Sequence, residues 1–164
     1  MRTVSIVLTR YKDPMSRLVY ALNGGGFTHV SLSLDEELQT MYSFNLKGFA
    51  VESAQRFRRQ GVTQAKCYRL RISDAAYARL ARHIESFVEN KKRYRYSLAG
   101  VWCCFFGIPL KQKGRYFCSQ FVAESLLSAR AVPLRKRPAL YLPNQLMREM
   151  NRSLQLQRVQ YVLF

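Results

Sequence analysis

Within residues 27–35, "FTHVSLSLD", polar and apolar side chains alternate from His29 to Asp35. This stretch constrains the fold more than any other. Successive side chains of a strand point to opposite faces, so Val30, Leu32 and Leu34 share one side and His29, Ser31 and Ser33 the other. Such a strand needs a sheet with one face buried. "NGGG" (23–26) precedes it and leaves room for a ligand beside His29, since glycine tolerates backbone that other residues do not. "LQTMYSFN" (38–45) follows after the short acidic turn "DEE", so the two strands are predicted to form an antiparallel hairpin.

Around this hairpin the chain reads as a single domain, residues 1–164, with no repeat, linker or low-complexity segment. "VSIVLTR" (4–10) is a predicted buried strand, and Asp13-Pro14 opens a helix to Leu22, with Asp as cap and Pro at the first position. "AKCYRLRI" (65–72) is a strand with Tyr68, Leu70 and Ile72 on one side and Cys67 on the other. Residues 73–90 form a helix capped by Ser73, with Tyr77, Leu80, Ile84, Phe87 and Val88 as its buried stripe and His83 a structural residue at its border. Residues 94–114 are apolar, then basic, and place Cys103 and Cys104 among aromatic residues. A helix from Cys118 to about Arg130, a short helix over 142–150 and a closing strand over 154–164 complete a β-α-β-β-β-α-(α)-α-α-β order. Partly segregated strands and helices make this an α+β class domain.

No apolar run approaches the length of a membrane span, and the N-terminal segment "MRTVSIVLTR" lacks the pattern of a secretion signal. Together with four cysteines read as free thiols, this suggests a cytoplasmic protein. A zinc site is not expected, because there is no CxxC pair and only two histidines, His29 and His83. The formal charge is +17, from 27 Lys and Arg against 10 Asp and Glu. Basic residues cluster at 56–60, 91–95 and 135–137. Such a field attracts an anionic partner, whether nucleic acid, acidic lipid or anionic polymer.

"GRYFCSQFVAESLL" (114–127) carries the candidate chemistry. If the helix begins near residue 118, Cys118 lies in its first turn. There the unpaired N–H groups and the positive end of the dipole favour a thiolate and can hold an oxyanion. His29 is the candidate base. Cys118, Phe121, Val122, Ser125 and Leu126 share a helical face that is predicted to pack against the sheet and so to bring the two side chains together.

"YFCSQFVAESL" resembles the nucleophile helix of NlpC-type thiol hydrolases, and "FTHVSLSLD" resembles their histidine strand. Here the histidine precedes the cysteine, as in the circularly permuted, papain-like branch that also holds the acyltransferases related to lecithin:retinol acyltransferase. The likeness covers residues 27–45 and 94–127. It implies a permuted papain-like fold, an antiparallel sheet packed against helices with the cysteine at a helix N-terminus. It puts Cys118 at the nucleophile and His29 at the base. Tyr96, in "YRYSLAG", falls where a tyrosine lines the oxyanion site, and Ser119 is grouped with it as substrate-lining. The third catalytic position, a polar residue that orients the imidazole, falls on Ser43. Asn45 and Glu52 are the alternatives. The permuted branch often carries Glu there, and Phe117 stands where the unpermuted family carries Asp.

The resemblance implies a thiol hydrolase of the peptidase or amidase type, or an acyltransferase, that works through an acyl-enzyme on an acyl or peptide-like substrate without cofactor or metal. The competing expectation is a non-catalytic basic module on a degenerate hydrolase fold that binds nucleic acid or anionic surfaces.

Overall fold

The computed structural model describes all residues, 1–164. Its main sheet has six strands. In chain order they are β1 (Arg2–Thr9), β2 (His29–Ser33), β3 (Met41–Asn45), β4 (Gly48–Glu52), β5 (Gln64–Ile72) and β8 (Leu156–Leu163). Across the sheet the order is β4-β3-β2-β1-β5-β8, and every neighbouring pair is antiparallel. β6 (Arg95–Tyr96) and β7 (Arg115–Tyr116) form a separate, short parallel pair. Six helices complete the fold: α1 (Pro14–Leu22), α2 (Ala54–Arg59), α3 (Asp74–Glu89), α4 (Leu98–Phe105), α5 (Cys118–Ser128) and α6 (Pro143–Asn151). The class is α+β with an antiparallel sheet. None of the helices is long and apolar enough to cross a membrane.

The alternation along β2 does what its period demands. Val30 and Leu32 enter the main core, and Ser31 and Ser33 lie buried on the opposite face. β5 behaves in the same way. Tyr68, Leu70 and Ile72 join the main core, and Cys67 joins a smaller cluster with Val7, Met41 and Phe57 under α2.

α5 is central and buried for most of its length. Its Phe121 ring sits 5.0–5.6 Å from the rings of Phe44, Phe49 and Phe87, which ties β3, β4 and α3 to one helix. Truncating an aromatic side chain in such a site costs about 3–5 kcal/mol. A third cluster joins α1, α4 and the start of α5 through Val19, Val101, Cys104 and Phe117. Phe117 is buried there, and Gly100 makes room for it: a Cβ on Gly100 would lie 3.1 Å from the Phe117 ring and 2.6 Å from the Ser97 hydroxyl.

Several boundaries differ from expectation, each for a local reason. β3 starts at Met41 rather than at 38. Leu38 takes a left-handed φ of 58°, and the Asp35 carboxylate accepts the N–H groups of Gln39 and Thr40, so these residues form a turn. β4 and α2 are additional elements. α2 is capped by the Ser53 hydroxyl and buries only Phe57, so its basic residues read in sequence as a charge run. On α3, Val88 is exposed and Ala76 takes its place in the buried stripe. His83 packs 5.1 Å from Phe87, ring to ring, and burial lowers its pKa.

Candidate active site

Three segments converge on one cavity of about 520 Å³. The β1–α1 connection supplies Tyr11 and Asp13. The hairpin strands supply His29, Asn45 and Glu52. The start of α5 supplies Cys118.

α5 begins at Cys118 because Phe117 ends the preceding extended stretch, with φ −103° and ψ 165°. The Gln120 side chain then accepts the Phe117 N–H at 3.3 Å, which leaves the next N–H groups of the turn without helical partners. The cysteine thus takes the first helical position, with its sulfur at the cavity.

His29 is the first residue of β2 and is buried. Its approach is fixed from below by a braced loop. The Asn144 side chain donates to the Gly25 carbonyl at 2.7 Å and accepts the Phe27 N–H at 3.2 Å, while Asn23 donates to the Phe27 carbonyl at 2.7 Å. The glycine loop is therefore occupied by α6, and its glycines do not line the cavity. The room beside His29 comes from the β1–α1 connection instead.

The imidazole is held by Glu52, not by Ser43. His29 Nε2 lies 3.0 and 3.1 Å from the two Glu52 carboxylate oxygens, and the Ser31 hydroxyl donates to the same carboxylate at 2.6 Å. Ser43 is buried on β3 and donates its hydroxyl to the Val30 carbonyl across the hairpin. The assignment of Ser43 as the orienting residue is thus corrected. Register explains the difference: Met41 pairs with Glu52, so β4 carries the carboxylate along the polar face that His29 and Ser31 share. Asn45 lines the cavity, but its side chain accepts the Lys47 N–H at 2.9 Å and caps the β3–β4 turn.

Burial by itself lowers the His29 pKa. The Glu52 charge, with the nearby Cys118 side chain, outweighs it, and the net result is a pKa raised to about 10. The imidazolium is therefore the favoured form, with the Glu52 carboxylate on Nε2.

Tyr96 lines the cavity beside Cys118. Burial first, then negative charge on Cys118 and on Asp13, keeps its hydroxyl protonated and so a donor. Ser119 does not line the cavity. It is fully buried behind Cys118, and its hydroxyl has no hydrogen-bond partner. Its expected place at the substrate wall is corrected, because the second residue of a helix entering a core points a full turn-fraction away from the first.

Tyr11 is a cavity residue that the sequence did not single out. Its ring meets the His29 ring edge-on at 4.9 Å, and its buried hydroxyl has no partner within the chain. Burial and the Glu52 charge hold that hydroxyl protonated. It lies in an aperiodic connection, and its one sequence signal is an aromatic residue just upstream of a helix cap. No group of three or more His, Cys, Asp or Glu side chains suited to a metal ion occurs in the fold.

A scan of the chain against models of known protein families finds no match, and a search of curated proteins finds none either.

Proposed function

We propose that this chain is a thiol acyl-transfer enzyme of the permuted papain-like kind, a hydrolase of the peptidase or amidase type or an acyltransferase. The observation that carries the reading is the convergence of Cys118, His29 and Glu52 on one cavity, with the sulfur at a helix N-terminus.

In this mechanism the Cys118 proton rests on His29 Nδ1 in a thiolate–imidazolium pair, since Glu52 occupies Nε2. The sulfur attacks an acyl carbon, an S–C bond forms, and the carbonyl electrons move onto oxygen. The first-turn N–H groups of α5 and the Tyr96 hydroxyl are the donors at hand for that oxyanion. The imidazolium then gives its proton to the leaving group as the C–X bond breaks, which leaves a thioester on Cys118. Water or an amine, deprotonated by His29, attacks the thioester and restores the thiol. Glu52 keeps the ring orientation and stabilises its charged form throughout. The chain's own side chains handle every proton and electron pair in these steps. With all four cysteines free, we place the protein in the cytoplasm.

The test is a panel of thioesters, aryl esters and peptide anilides, read by mass spectrometry for an acyl adduct. The expected result is an adduct on Cys118 that disappears in Cys118→Ala and accumulates slowly in His29→Ala. Adducts spread evenly over the four cysteines, or none with any substrate, would refute the reading. A second reading, a degenerate domain that only binds anions, draws on the +17 charge. It predicts no adduct, with anion binding equal in wild type and Cys118→Ala.

A further inference from the structure

α4 has two apolar faces, and only one of them is used. Val101 and Cys104 pack inward against α1. The other face carries Leu98, Trp102 and Phe105, and the chain beyond it continues with Phe106 and Ile108. All five are exposed, Phe106 by 68% and Ile108 by 56%. Phe105 and Phe106 contact each other, with ring centroids 5.2 Å apart. Single exposed apolar residues are ordinary, but five on one short segment mark an interaction site.

The segments that flank α4 along the chain are cationic. The 3-10 turn Lys91–Arg93 and the paired strands β6 and β7 lead into and out of α4, and they expose Lys91, Lys92, Arg93, Arg95 and Arg115. Lys113 adds a further exposed cation on the return loop, whereas Lys111 is tied to Glu124 at 3.2 Å. A second copy of a +17 chain would bring like charge against like charge at this face. Nucleic acid would use the cations and the rings but gives no role to Leu98 and Ile108. A layered partner, anionic outside and hydrocarbon beneath, satisfies both sets of side chains at once.

We propose that the outer face of α4, with Phe106 and Ile108 as its tip, docks the protein on an anionic lipid surface. The rings and aliphatic chains enter the boundary between headgroups and acyl chains, and the exposed Lys and Arg of the flanking segments meet the acidic headgroups. This proposal stands independently of the thiol chemistry, because none of these residues lines the catalytic cavity.

Trp102 is the only tryptophan in the chain, so its fluorescence reports on this face alone. The experiment titrates the full chain with phosphatidylcholine vesicles, with and without phosphatidylserine. The expected result is a blue shift of Trp102 emission with the anionic vesicles, and quenching by lipids brominated in their acyl chains. Phe106→Glu with Ile108→Glu should weaken vesicle binding at least about tenfold, and Lys92→Glu with Arg93→Glu should weaken it and flatten its salt dependence. These positions are exposed, and circular dichroism verifies that the variants stay folded. Cys118→Ala should bind like wild type. No spectral shift at saturating anionic lipid would overturn the proposal. So would vesicle binding indifferent to the Phe106 and Ile108 substitutions, RNA binding tighter than vesicle binding and lost with those substitutions, or a lipid-free dimer that buries Trp102.

Discussion

Glu52 sets both of its carboxylate oxygens against one nitrogen of His29, at 3.0 and 3.1 Å, and Cys118 lines the same cavity as this pair. The pair is almost wholly buried, so water screens the interaction little. Glu52 thereby both orients the ring and holds its proton.

Glu52→Gln should cost about a hundredfold in kcat, the scale of a misplaced general base, with a smaller change in KM. Ser43→Ala should leave kcat within about threefold and cost about 1 kcal/mol of stability, the value of its hydrogen bond to Val30. Steady-state kinetics and denaturant melts on both variants decide between the two residues. Equal losses of kcat would return the orienting role to Ser43.

The same pair makes stability depend on pH. The folded His29 pKa, about 10, lies above the ordinary value of 6.5. A raised pKa means that the folded state holds the proton more tightly. The stabilisation is complete below about pH 6.5 and declines as pH rises toward about 10. Thermal melts of wild type and Glu52→Gln across this window should converge as pH rises. Comparing the two cancels the relief of repulsion that any +17 chain gains in alkali.

The thiols should separate by rate. Cys67 and Cys104 are buried with raised pKa values, Cys104 up to about 12, because burial disfavours their thiolates. Cys118 opens on the cavity beside His29. Iodoacetamide at neutral pH should modify Cys118 at least about tenfold faster than either, and His29→Ala should slow it. Peptide mapping over time gives the order, and a rate for Cys118 no greater than that of Cys67 would count against an imidazole-activated sulfur.

Asn144 braces the loop below His29 and lies outside the proposed trio of Cys118, His29 and Glu52. Asn144→Ala leaves the Phe27 N–H without its partner and the Gly25 carbonyl with the Asn23 side chain alone. A loss of about 1–3 kcal/mol is expected, with a lowered melting temperature and reduced kcat as His29 loses its footing. A variant that melts like wild type would show that the loop supports itself.

The strand alternation and the helix start were legible because both are local. Val30 and Leu32 announce a strand with an apolar face, and Cys118 opens a run of helix formers. Glu52 was visible only as an alternative, because its contact with His29 depends on the register of β4, and register is set by pairing across the sheet. β4 is five residues long and begins with Gly48, whose φ of 106° and close approach to the Tyr94 carbonyl need a residue without a side chain. In sequence that glycine reads as the end of a strand rather than the start of one. Tyr11 was invisible for a further reason: no periodicity marks a residue whose role comes from where a loop crosses a cavity.

Cys118 and His29 are separated by most of the chain, and they meet only when α5 seats between β2, β3 and α3. The sulfur therefore acquires its partner through tertiary packing and not through local structure. A nascent or unfolded chain carries a thiol of ordinary reactivity, and the assembled one is sheltered within a cavity. The rate at which Cys118 becomes selectively reactive is thus a clock for the closing of the core, readable during refolding by brief pulses of iodoacetamide.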